Sequence, residues 1–182
     1  MIDINALYQK YLAGDEKALE ELMEIYGDRL TLYINGYVKN ICDAEDLMID
    51  VFAYLVDRRP SVKDNFNGYV HKAARNHALM FLRKKKRHLL FLNKEFEFSI
   101  ENTFEEDVLT KERNEGLYKC LKNLPAAQKE ALYLVYIEKM SYKDAAQVLN
   151  KTKKQVDKLL QSGKKNIKPL LETEGIKSAS DK

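Results

Sequence analysis

Tryptophan is absent from this chain, and its 182 residues hold only 3 prolines and 7 glycines. Turn-forming residues that scarce exclude a loop-rich β architecture and favour helices. Two cysteines, Cys42 and Cys120, stand in no metal-ligand spacing, so no cysteine metal centre is expected. Reduced, mostly buried thiols in helical sequence are the simpler reading. No apolar run nears the roughly 18 residues that a membrane span needs, and the opening MIDINALYQKY has no secretory pattern. A cytoplasmic protein without membrane insertion is the expectation.

What the chain does have is apolar residues and charge in quantity. It is 45% hydrophobic and 32% charged, enough to fill one core or two small ones while keeping a wet surface. The net charge of +3 conceals a segregation along the chain. Residues 1–58 carry 5 basic and 12 acidic side chains, and residues 59–94 carry 10 and 1. Residues 95–115 carry 2 and 8, and residues 116–182 carry 14 and 7. Two basic blocks parted by an acidic one suggest two contacts with a polyanion, joined by a segment that makes none.

Apolar residues recur at helical spacing almost throughout, and no alternating strand stands out. The periodicity predicts helices near 4–13, 15–39, 43–57, 66–87, 112–122, 126–138, 142–149 and 153–171. Gly14-Asp15, Asn40 and Arg59-Pro60-Ser61 read as breaks, and Pro125 suits a helix start. From His88 to about Thr110 the period is lost among acids and Phe91, Phe96, Phe98 and Phe104. That stretch reads as an acidic linker between two helical domains.

Three segments carry chemistry. In DAEDLMIDVFAYLVD, at about 100° per residue, Ala44, Leu47, Met48, Val51, Phe52 and Leu55 fall on one face. Asp43, Asp46, Asp50 and Asp57 fall within about 60° on the opposite face. A solvated acidic face is one reading and a docking face for a basic partner is the other. No histidine lies at metal-ligand spacing, so a carboxylate metal site is not expected.

In YVHKAARNHALMFLRKKKRH, Val70, Ala73, Ala74, His77, Ala78, Met80 and Phe81 form the predicted core face, with His77 as a core histidine. Lys72, Arg75, Asn76, Arg83 and Lys86 lie opposite, so the five cations Arg83 to Arg87 complete a basic face. Like charges that close weaken a helix unless something offsets them, and phosphate is the natural counterpart. In the third segment, Ser141-x-x-Asp144 caps a short helix and Asn150 suits a left-handed turn. Thr152-x-x-Gln155 is a capping box opening a second helix, with Val156, Leu159 and Leu160 turned inward. Small helix, tight turn and capped second helix read as a helix-turn-helix, with Lys153, Lys154 and Lys158 at its exposed front.

Taken together, DAEDLMIDVF, YVHKAARNHALMFLRKKKR and LPAAQKEALYLVYIEKMSYKDAAQVLN-KTKKQVDKLL resemble bacterial RNA polymerase sigma factors of the extracytoplasmic-function type, in the sigma-70 superfamily. The resemblance implies an all-α protein of two small helical domains. A region 2 domain would span 1–88, a linker 89–111, a region 4 helix-turn-helix domain 112–174 and a tail 175–182. It implies no catalytic residue, no metal and no cofactor. The partners it implies are core RNA polymerase and promoter DNA, and it leaves room for an anti-sigma factor.

On the matching residues, Asp43, Glu45, Asp46, Leu47, Asp50 and Val51 would meet the polymerase. Lys72, Arg75, Asn76, Arg83, Lys84 and Lys86 would meet the −10 element, with Asn76 reading a flipped base. Thr152, Lys153, Lys154, Gln155 and Lys158 would meet the −35 element. The chain departs from the family's pattern at Asn150, Lys151, Asp157, Leu159 and Ser162, and each cation missing there removes part of the electrostatic affinity for DNA. A free-standing helix-turn-helix regulator stays open as an alternative, as does a helical module whose basic faces bind acidic protein or RNA.

Overall fold

The computed structural model describes residues 3–88 and 123–173, and all regular structure there is helical. The expected helix 112–122, the acidic linker with its phenylalanines, Cys120 and the polar tail lie outside the described residues, as do the side chains of Lys86, Arg87 and His88. The chain divides into two compact units, 1–96 and 97–182.

The described residues of the first unit form a bundle of four helices. They are α1 (Ile4–Leu12), α2 (Glu16–Val38), α3 (Ile41–Arg58) and α4 (Phe66–His88). On α2, Leu22, Tyr26, Leu30, Tyr33, Ile34 and Tyr37 recur at three- and four-residue steps and are all buried. Of the stripe predicted for α3, Ala44, Leu47, Val51, Phe52 and Leu55 are buried, and Met48 is half-buried. Lys39 and Arg59 end α2 and α3 in the left-handed conformation, at φ 55° and 39°. Asn40 opens α3 by accepting the Asp43 N–H at 2.9 Å.

On α4 the core face is turned relative to the sequence expectation. His71 is fully buried and packs edge-on against Tyr33 at 5.2 Å and Tyr26 at 6.2 Å. Its Nδ1 lies 2.9 Å from the Asn67 carbonyl. His77 is only half-buried, and Met80 keeps 54% of its surface in solvent. The reason is that α4 packs against α1, α2 and α3 at once, and the aromatic residues of α2 select His71 rather than the apolar side chains near Met80. Cys42, expected inside, is exposed in the first turn of α3.

Helix α1 fastens the α3–α4 connection. Tyr8 Oη donates to the Pro60 carbonyl at 2.8 Å and Gln9 Nε2 to the Val62 carbonyl at 2.6 Å. Asn5 Oδ1 accepts the Phe66 N–H at 2.9 Å, and the Tyr8 and Phe66 rings stack at 4.5 Å.

The second unit contains α5 (Ala126–Leu132), continued by a π-helical stretch (Tyr133–Ile137), then α6 (Tyr142–Leu149) and α7 (Lys153–Thr173). The single helix expected over 126–138 is thus interrupted by a wider turn, closed by Glu138 N–H to the Tyr133 carbonyl at 3.0 Å. The two caps form as the sequence predicts. Asp144 N–H bonds Ser141 Oγ at 3.1 Å. Thr152 and Gln155 exchange bonds at 2.8 and 3.2 Å. Asn150 adopts φ 55° at the turn. Val156, Leu160 and Ile167 turn inward and Leu159 is half-buried.

Gly163 brings α7 close to α5, since a Cβ there would stand 3.0 Å from Leu132 Cδ1. With α5 and α6 both packed on α7, Leu160 (1% exposed) is one of its core side chains. Leu160→Ala is expected to cost about 2–5 kcal/mol, read as a lowered denaturation midpoint of this unit in urea.

Candidate protein and nucleic-acid interfaces

The exposed face of α3 is built by subtraction. Once Leu47, Val51 and Leu55 point into the bundle, the residues opposite must face water. Asp46, Asp50 and Asp57 are exposed, and Asp43 is partly covered. Asp57 pairs with Arg58 at 3.1 Å, while Asp43 Oδ2 lies 3.4 Å from Lys85 Nζ on α4. Glu45 is exposed too, but about 100° around the helix from Asp46. Leu47 and Val51, expected at the contact, are 7% and 0% exposed. They hold α3 from within and present nothing to a partner.

Apolar residues that the sequence reading passed over share this face. Ile49 and Val56 are 54% and 46% exposed, and Ala53 lies exposed between them. The seven-residue spacing of Ile49 and Val56 was the available signal. The surface is therefore half carboxylate and half apolar, which suits a protein partner better than solvent alone.

On α4, Asn76, Arg83, Lys84 and Lys85 are exposed, while Lys72 and Arg75 are half-buried. Arg75 lies over the Tyr37 ring at 5.9 Å, which fixes its stem against α2. Asn76, the next residue, is thus displayed from a braced turn. The side chain of Lys86 lies outside the described residues.

Behind this surface, the His77 ring meets Tyr54 edge-on at 6.0 Å. Burial pushes the His77 imidazole below its ordinary 6.5, and Asp50 pulls it partway back. A lowered pKa in the folded state means that the unfolded chain binds the proton more readily. The stabilisation is present above pH 6.5 and is lost as the pH falls through the folded value. His77→Gln is accordingly expected to lose less thermal stability than the wild type between pH 7.5 and 5.5, a difference read directly by melting curves.

On α6 and α7, Thr152, Lys153, Lys154, Gln155 and Lys158 are all exposed at the front of the second helix. The structure brings all five together. Asp157 is half-buried and accepts from Gln161 Nε2 at 2.9 Å. Further along, the Lys164 ammonium lies 5.1 Å from the centre of the Tyr136 ring. A hydrogen bond with Tyr136 raises the pKa of Lys164, and another raises that of Tyr142. Lys165 and Lys168 extend the exposed basic row. Among the described residues no group of three or more His, Cys, Asp or Glu could hold a metal ion, and no helix is long and apolar enough to cross a membrane.

With this geometry in place, known proteins can be set beside it. Residues 22–88 match the family model described as Sigma-70 region 2, and residues 114–167 match Sigma-70, region 4. The RNA polymerase sigma factor SigZ of Bacillus subtilis (strain 168) is 26% identical over 156 residues, which cover 85% of this chain and 87% of SigZ. Among solved structures, CnrH in complex with the cytosolic domain of CnrY superposes with a TM-score of 0.64 at 17% identity, covering 94% of this chain and 99% of that one. The sigma factor RpoE in complex with the anti-sigma factor NepR, from Bartonella quintana, gives 0.64 at 19% identity, covering 86% and 98%.

Proposed function

This chain belongs to the sigma-70 family, in its extracytoplasmic-function type, and from that premise we infer how each of its surfaces serves an alternative sigma factor. Such a factor binds core RNA polymerase and directs transcription initiation at particular promoters. The factor itself performs no chemistry, and the cytoplasm, where polymerase and DNA are, is its place of work. Residues 1–88 form region 2, 89–111 the linker and 112–174 region 4, with 175–182 as a tail.

The carboxylates Asp43, Asp46 and Asp50 meet the polymerase, with Glu45 at the edge of the contact and Leu47 and Val51 as its internal support. Lys72, Arg75 and Asn76 meet the −10 element, and Arg83, Lys84 and Lys86 follow phosphates. Thr152, Lys153, Lys154, Gln155 and Lys158 meet the −35 element.

The observation that carries this reading is the conjunction, within one small bundle, of a half-acidic, half-apolar face on α3 and exposed cations on α4. A free-standing helix-turn-helix regulator needs the second unit but not the first, and the match to Sigma-70 region 2 leaves that alternative without support. The fold shared with RpoE, solved with the anti-sigma factor NepR, supports an anti-sigma factor as a further partner. The test is to reconstitute the protein with core polymerase and sequence the 5′ ends of the transcripts. Start sites sharing upstream elements and absent without the factor are expected. Transcripts identical to those of core polymerase alone would refute the reading.

A further inference from the structure

Asp43 and Lys85 stand 42 residues apart in sequence, on different helices, yet Lys85 Nζ lies 3.4 Å from Asp43 Oδ2. Both ends of the pair are held in place. Asp43 sits in the first turn of α3, with its N–H bonded to Asn40 Oδ1 at 2.9 Å, where the helix dipole favours a carboxylate. The Lys85 ammonium also lies 5.5 Å from the centre of the Phe81 ring. Lys85 and Asp43 keep 52% and 30% of their side-chain surface in water, so the pair can open without exposing the core. Its position is unusual for a surface pair. One member belongs to the acidic face of α3, and the other to the exposed cationic end of α4 beside Arg83 and Lys84.

We propose that this ion pair is a self-screening contact that couples the factor's two partners. In the free factor Asp43 neutralises one cation of the tract that faces DNA. A partner whose own cation engages the Asp43 carboxylate releases Lys85 to a phosphate. The same carboxylate oxygen cannot serve both cations equally, so each partner's binding favours the other's, and the coupling is reciprocal by linkage. The inference rests on the assignment of α3 to polymerase and of the tract beginning at Arg83 to DNA. An exposed ion pair sets the size of the effect at about 1.4- to fivefold in DNA affinity.

The test uses the full-length chain without polymerase and a fluorescein-labelled DNA duplex of generic sequence, with affinity measured across a salt series. Four proteins are compared: wild type, Asp43→Asn, Lys85→Gln and the double variant, each checked for unchanged helicity by circular dichroism. Asp43→Asn is expected to tighten binding by up to about fivefold and to steepen the slope of log affinity against log salt by up to about 0.9, the equivalent of one phosphate. In the Lys85→Gln background the same change is expected to do neither.

Two outcomes overturn the proposal. One is an Asp43→Asn protein with wild-type affinity and slope. The other is an equal gain with or without Lys85, because that would be the general effect of removing one negative charge from a chain of net charge +3. Arg83→Ala/Lys84→Ala separates the proposal from the reading beneath it. A wild-type salt slope in that variant removes the DNA assignment and the coupling together, whereas a flattened slope beside a silent Asp43→Asn overturns the coupling alone.

Discussion

Asp46→Lys/Asp50→Lys is expected to lower the affinity for core polymerase by at least about tenfold, or ~1.4 kcal/mol, with thermal stability almost unchanged. Both carboxylates are exposed, and the side chains that hold α3 in the bundle, Leu47 and Val51, point the other way. The double reversal replaces two attractive terms by two repulsive ones at a face proposed to meet a basic partner, and like charges across an interface cost more than lost ones. The deficit should shrink as salt rises, because exposed charges are screened over about 10 Å at 0.1 M.

The apolar half of the same face gives a contrast. Ile49→Ser/Val56→Ser should weaken polymerase binding by a factor that hardly depends on salt, since what it removes is buried hydrocarbon. Gel filtration of the factor with core polymerase at two salt concentrations distinguishes the two variants. Co-elution of the aspartate variant at the wild-type level would remove α3 from the interface.

The second large effect concerns a single amide. Asn76→Ala is expected to cost on the order of 1–3 kcal/mol of discrimination at one −10 position and to leave the salt slope alone. Phosphate contacts behave oppositely. Changing Lys84 and Lys85 to Ala should weaken binding of the polymerase complex to all promoters alike and flatten the slope by up to roughly two units. The structure gives the physical reason for the difference. Asn76 stands exposed next to Arg75, whose guanidinium lies over the Tyr37 ring, so the amide is presented from a braced turn. Lys84 is a solvated cation on the open end of α4. Permanganate footprinting of unpaired thymines across −10 variants reads both effects. If Asn76→Ala opens every variant with the wild-type preference, the amide reads no base.

What could be read from sequence was whatever one helix decides by itself. The buried stripe of α3, the Asn150 turn and the Thr152–Gln155 capping box all follow from spacings of seven residues or fewer, and all three appear in the structure. The misplaced residues are those whose surroundings come from far along the chain. His71 is polar and falls at the margin of the apolar face of α4, but Tyr26 and Tyr33 approach it from α2 and make it the buried histidine. Met80 is apolar and falls on the predicted core face, yet it stays more than half exposed. The π-helical turn at Tyr133–Ile137 widens the end of its helix, which a constant period cannot express. For Leu47 and Val51 the helical period places both on the core face, and only the family resemblance puts them at the polymerase contact. On the helix they are on its far side.

The bonds from α1 to the α3–α4 connection carry a consequence for how the protein is made. Asn5, Tyr8 and Gln9 join positions 52 to 61 residues later in the chain. A ribosome releases α1 several seconds before Phe66, at about 5–20 residues per second, so for that time Tyr8 lacks the ring it stacks on. A nine-residue helix is too short to persist alone in water. Until then α1 has only α2 to pack against, and the three bonds that fasten it to the α3–α4 connection form only when the beginning of α4 arrives to receive them.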